Sequence, residues 1–294
     1  MARLLLLGLT TALFACGDDT TTATDSGTET DADTDADTDS DTDSDTDTDT
    51  DTDTEEEHCL TEGPEEDPTP GTGTVVGNVY DGDGAPVAGV RVSWCDHWEC
   101  LALPSGADGS VTIDSAGAGA HSFDAVPAGL DGYSTTLTIL SIEPGETLTV
   151  DFHLPDLTPA QAVPATPTEL ELGDGLFVTL GEGTFALLFG DVTDVAGAKL
   201  SAEQWPTMDL EGTVVAVWNL DPFEAESTDG APVRIANSWG YAPGKALWLH
   251  TSSYGCFEYL EPIELVVNSD GTYLESTGGT LKELSTVVLV DLES

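Results

Sequence analysis

The chain has 294 residues, with 56 Asp and Glu against 6 Lys and Arg and a formal net charge of −50 at pH 7. A balance this acidic excludes nucleic-acid binding, which needs a basic face, and docking on anionic lipid headgroups. The length leaves room for two ordinary domains once leader and tail are set aside.

Arg3 supplies a positive n-region, and Leu4 to Leu13 form an apolar run of about ten residues, half of what a bilayer span needs. Residues 1–15 therefore read as a cleaved signal peptide. Leu13 and Ala15 stand at the −3 and −1 positions before Cys16. Here the chain resembles bacterial lipoproteins, with Phe14 an unusual −2 residue. The resemblance implies that Cys16 is the lipidated N-terminus, carrying diacylglyceryl and a further acyl chain such as palmitate. Two or three acyl chains hold a protein stably where one does not. The membrane is then a partner through the anchor. Gly17 in place of Asp points to the outer membrane of a bacterial cell envelope.

Residues 16–72 form a stalk. Positions 17–70 hold 23 Asp or Glu and no Lys or Arg, and from Asp31 to Asp53 every second residue is Asp. With no apolar period, nothing here offsets the entropy of ordering, so disorder is expected. Like charges extend such a linker; 54 residues reach at most about 180 Å. A calcium loop needs Gly at its sixth position and Glu at its twelfth. No Gly lies between Asp31 and Asp53, so divalent cations are expected only diffusely.

Beyond the stalk, short β-branched runs alternate with Gly- and Pro-rich turns. The fold class expected is all-β, two β-sandwich domains after the disordered acidic stalk. The first spans 73–156. Thr74–Tyr80 reads as a strand, Asp81-Gly82-Asp83-Gly84 as a turn, and Pro86–Val92 as the lead into a second strand. Ala107–Ile113 and Gly145–Leu154 follow as further strand segments. Gly77, Val79, Asp81, Gly84, Pro86, Val87, Gly89 and Val90 match the pattern G-x-V-x-D-x-x-G-x-P-V-x-G-V. In these residues the segment resembles the carboxypeptidase regulatory-like domain, a transthyretin-like sandwich. The resemblance implies a non-catalytic accessory domain.

A Pro-rich linker is expected at 157–167 and the second sandwich at 168–294. Expected strands there include Gly175–Leu180, Thr184–Phe189, Gly212–Trp218, Pro232–Ala236, Ala246–His250, Phe257–Leu260, Ile263–Asn268 and Val287–Leu292. The best helical stretch, Ala198–Met208, is broken by Pro206. The order of segments loosely resembles ZU5-like modules of bacterial surface proteins, which implies adhesion or display.

Cys59, Cys95, Cys100 and Cys256 remain after Cys16. An even number in an oxidising compartment reads as two disulfides. Four residues separate Cys95 from Cys100, which suits a hairpin turn; Cys59–Cys256 then follows by elimination. The alternative is a metal site from Cys95, His97 and Cys100, but no fourth ligand stands nearby. Asn237-Ser238-Trp239-Gly240 is similar to the asparagine segment of papain-like proteases, yet the nucleophile segment that family needs is missing. No nucleophile elbow, zinc helix or phosphate loop occurs. Neither catalysis nor any cofactor or metal is expected.

The aromatic residues are the remaining candidates. Trp94, His97 and Trp98 surround the short turn, and Trp239, Tyr241 and Trp248 lie in the second module. They suit either core packing or the stacking of sugar rings. The leading expectation is a non-catalytic surface lipoprotein that displays its modules for adhesion, envelope organisation or partner contact. The alternative is carbohydrate binding through exposed aromatics.

Overall fold

The structure is a computed structural model that describes residues 69–293, apart from 129 and 131. Cys16, Cys59 and the stalk up to residue 68 lie outside the described residues, as do the expectations that rest on them. The first eight strands are β1 (Thr72–Asp81), β2 (Arg91–Cys95), β3 (Cys100–Pro104), β4 (Ser110–Gly117), β5 (Gly119–Val126), β6 (Thr136–Ile142), β7 (Thr147–Thr149) and β8 (Phe152–Leu154). One sheet has the order β4-β1-β7, with β8 also on β1; the other has the order β3-β2-β5-β6.

Alternation of apolar and polar side chains turns one face of each sheet inward. Val75, Val79, Val92, Trp94, Val111, Ile113, Phe123, Phe152 and Leu154 meet in one core. Phe123 stands edge-on to both Trp94 and Phe152, with centroids at 5.4 and 4.7 Å. Gly77 is required by close approach. A Cβ there would lie 1.6 Å from the Val150 carbonyl oxygen, where the chain passes from β7 to β8 alongside β1.

The remaining strands are β9 (Gln161–Ala162), β10 (Thr168–Glu171), β11 (Leu176–Leu180), β12 (Ala186–Leu187), β13 (Gly190–Asp191), β14 (Asp194–Leu200), β15 (Thr213–Asp221), β16 (Ala225–Ala231), β17 (Val233–Ala236), β18 (Ala246–Thr251), β19 (Ile263–Val267), β20 (Tyr273–Ser276), β21 (Leu281–Leu284) and β22 (Thr286–Asp291). Ten of them form a sheet in the order β10-β11-β17-β20-β19-β18-β22-β15-β14-β9, and β13-β12-β16-β21 form another. Trp218, Leu176, Val178, Ile235, Leu249, Leu265 and Leu289 fill the core they enclose. On the opposite side of the large sheet, Leu200, Val217, Val288 and Val290 are covered by Trp205, Met208 and Leu210. The architecture is all-β, as expected.

The best helical stretch is broken, as its Pro206 implies, and two local strand expectations are corrected. The Ala198–Met208 stretch is the end of β14, then a single 3-10 turn at Ala202–Gln204; Pro206 disfavours a helical residue before it. Only Ala186–Leu187 of the segment 184–189 is strand, and Leu188 and Phe189 project from the hairpin tip, 83% and 94% exposed. Phe257–Leu260 is not a strand: Phe257 has φ 56°, and a left-handed residue cannot continue an extended chain. Within 157–167, β9 pairs with β14, and Thr158 N–H donates to the Gly197 carbonyl. Pro159 and Pro164 flank β9 at the sheet edge, where proline is tolerated.

A polar seam joins the two cores. Asn219, buried on β15, donates through Nδ2 to Ser134 Oγ at 3.0 Å and to Thr136 Oγ1 at 2.7 Å. Thr136 Oγ1 donates onward to the His153 carbonyl. The other side of the amide, Asn219 Oδ1, accepts from Thr286 Oγ1, which itself accepts the Leu137 N–H at 2.9 Å. Thr138 Oγ1 donates to the Thr207 carbonyl, and Gln204 Nε2 to that of Gly82. Every polar group of Asn219 is used, which is the condition for burying it without penalty.

Candidate functional site

Cys95 and Cys100 face each other at the end of the β2–β3 hairpin and are joined by a disulfide. The bridge takes up both thiolates that a metal site would need. Asp96 shapes the turn, its Oδ1 accepting the amides of Trp98 and Glu99, each at 2.7 Å. Trp98 is thereby turned outward and is 55% exposed. His97 instead meets the ring of Phe257 edge-on at 4.8 Å, facing the second core.

Trp94 is corrected as a ligand candidate. It is fully buried and stacks on His121 at 4.5 Å, so neither ring face is open. His121 Nε2 lies 3.0 Å from Asp96 Oδ2. Burial holds this imidazole below its ordinary pKa, against the opposing pull of the Gly119 carbonyl and the Asp96 and Glu99 carboxylates.

Trp239 and Tyr241 pack half-buried against the large core. Lys199 Nζ lies over the rings of Trp239 and Trp218, at 5.3 and 5.6 Å. Asn237 is a turn brace: Nδ2 donates to the carbonyls of Tyr241 and Gly271. Trp248 is half-buried on the outward side of β18, opposite Glu264. The candidates from the sequence thus occupy separate regions. Cys256 is disulfide-bonded; its expected partner, Cys59, lies outside the described residues.

Three other groupings emerge from the fold. On the outward side of β11 and β17, Phe177 and Arg234 are register partners, and Tyr273 stands on β20 alongside. The guanidinium lies 4.1 Å from the Tyr273 ring centre and 5.1 Å from that of Phe177, and its Nε donates to Glu169 at 2.8 Å. Strands hold all four side chains, so the cluster is pre-formed. Its sequence signal was a lone cation alternating with apolar residues in Val233-Arg234-Ile235.

The second grouping lies at the seam. Asp124 on β5 is fully buried, and neither carboxylate oxygen has a hydrogen-bond partner. Arg91 Nη2 is 3.8 Å away. Burial pushes this carboxyl up to about 7; Arg91 and the Ser93 hydroxyl oppose the shift and Glu224 adds to it. Tyr254 reaches the same region: its ring is near Phe223, at 5.8 Å, and its hydroxyl is 4.0 Å from Cys95 Sγ. Glu283, 3% exposed, accepts the Tyr254 N–H. It is also pushed up to about 7, by burial first and then by Glu226 and Glu224.

The third is a cleft of about 820 Å³ beside Glu283, whose walls include Glu226, Thr251, Leu260, Thr277 and Lys282. It offers carboxylates and hydroxyls rather than aromatic faces. Among the described residues, no three His, Cys, Asp or Glu side chains are grouped so as to hold a metal ion.

No family model matches the chain, and no curated protein matches it significantly in sequence. In structure, distant β-rich proteins match it. One is a proposed carbohydrate binding protein from Bacteroides uniformis, 10% identical, with 76% of this chain and 80% of that one covered and a TM-score of 0.25. Another is the Bacillus anthracis TIE protein, 9% identical, with 76% of this chain and 49% of that one covered and a TM-score of 0.27. Likeness of this degree carries no functional information.

Proposed function

We propose that the chain is a non-catalytic lipoprotein of a bacterial envelope, anchored through Cys16, that carries a two-core contact body on an acidic tether. The observation that best supports this is the hydrogen-bonded seam through Asn219. It ties two β-sandwich cores together, which suits a shared surface for partner contact. The leader and the Leu13–Cys16 resemblance support the anchor, and outer-membrane placement follows from Gly17. A Cys59–Cys256 bridge would attach the tether next to the cleft that Cys256 lines. Membrane fractionation of Cys16→Ser tests the reading. The variant should leave the membrane fraction; retention there in high salt would refute the anchor.

A second reading, glycan contact, is favoured by the Phe177–Arg234–Tyr273 cluster. Ring faces beside fixed charged donors and acceptors suit a sugar's C–H face and hydroxyls. A glycan array run with wild type, Tyr273→Ala and Trp98→Ala tests it. Signal lost with Tyr273→Ala supports the sheet face, loss with Trp98→Ala moves the site to the hairpin turn, and no signal from wild type ends the reading.

A further inference from the structure

The seam has two unlike ends. At one, Asn219, Thr136 and Thr286 satisfy each other completely. At the other, Asp124 brings a fully buried carboxyl with neither oxygen hydrogen-bonded and with the Arg91 guanidinium 3.8 Å from Oδ1. The groups that face it are few. From β2 come Arg91, itself half in solvent, and the Ser93 hydroxyl. From β6 comes its apolar register partner Leu137. The second core contributes Glu224, which has φ 65°, and Tyr254, with Glu283 behind it. One cation thus stands among several carboxyls.

We propose that this end of the seam is a pH-sensitive joint, in which neutral Asp124 lets the two cores close against each other and ionised Asp124 drives them apart. The physical reason is that a buried carboxylate without hydrogen bonds, facing one half-exposed guanidinium at 3.8 Å, costs far more than the neutral acid. Opening rehydrates the carboxylate and increases its distance from Glu224. Burial moves the Asp124 carboxyl of the closed state up to about 7, so opening increases as pH rises towards 7 and levels off above it.

Leu137 provides the reporter. It is Asp124's neighbour across β5–β6, and its N–H donates to Thr286 of the other core. Hydrogen exchange of the full-length chain would be followed at residues 134–142 between pH 5.5 and 8.5, corrected for base catalysis. Within the titrating range, opening should become more frequent by roughly tenfold for each unit by which closure raises the carboxyl's pKa. Exchange in β1 should stay level over the same range. Asp124→Asn should abolish the pH dependence at 134–142. Glu224→Gln changes a half-exposed site and so leaves the fold safe; it should move the midpoint to lower pH. The proposal is overturned if protection at 134–142 is flat with pH in the wild type, if β1 loses protection in parallel, or if Glu224→Gln leaves the midpoint in place.

Discussion

Asn219 and Thr136, 83 residues apart in sequence, meet at 2.7 Å with both side chains buried, and through them the two cores share one hydrogen-bond network. Removing the amide takes one hydrogen-bond partner each from Ser134, Thr136 and Thr286. Asn219→Ala should destabilise the chain by about 2–4 kcal/mol, since each buried group left unpaired costs about 1–3 kcal/mol. Urea unfolding checks this. A loss within error of zero would mean that water replaces the amide and that the seam is open.

At Gly77 the expectation is steric. A methyl group would overlap the Val150 carbonyl oxygen, a backbone atom that cannot rotate aside. Gly77→Ala should therefore cost about 3 kcal/mol or more through forced backbone shifts in the first core, read as a lowered midpoint in thermal unfolding.

The Cys95–Cys100 bridge closes a very short ring, so its loop-entropy contribution is small, about 2 kcal/mol. The double substitution to Ala should weaken the first core by no more than that. Asp96 still braces the turn through the Trp98 and Glu99 amides, so the position of Trp98 should survive, and its fluorescence maximum should remain that of an exposed indole.

The pH dependence of stability has opposing parts. Asp124 and Glu283 have folded pKa values raised above their unfolded ones, so the folded chain holds extra protons. Their effect is to lower stability as pH rises from about 4 to about 7, by at most about 4 kcal/mol for Asp124. His121 and His250 are shifted down by burial, so they lower stability as pH falls below about 6.5. Asp124→Asn should remove its own share of the first trend, leaving that of Glu283, and should leave the second unchanged. Urea midpoints measured at pH 4.5, 6 and 8 for both proteins separate them. Parallel curves would show that Asp124 is ionised in the fold without penalty.

Much of the β architecture was legible in the residues themselves. Leu176, Val178 and Leu180 alternate with Phe177 and Thr179, and a period of two places one set inside whatever its neighbours are. The Asp81–Gly84 turn and the short Cys95–Cys100 hairpin were legible for the same local reason, because turn geometry depends on nearby residues. β16, Ala-Glu-Ser-Thr-Asp-Gly-Ala, was not legible. It has no apolar alternation, and it is a strand because β12 and β21 supply its hydrogen bonds. Composition likewise could not separate Trp94 from Trp98: both flank one turn, and the difference between a buried ring and an exposed one lies in Phe123 and His121, which pack only on Trp94. The acidic net charge was determined by sequence alone. The joining of the cores was decided by tertiary structure, because a Ser, Thr or Asn carries the same signal on a wet surface as in a buried network, and only the partner brought to it across the fold distinguishes the two.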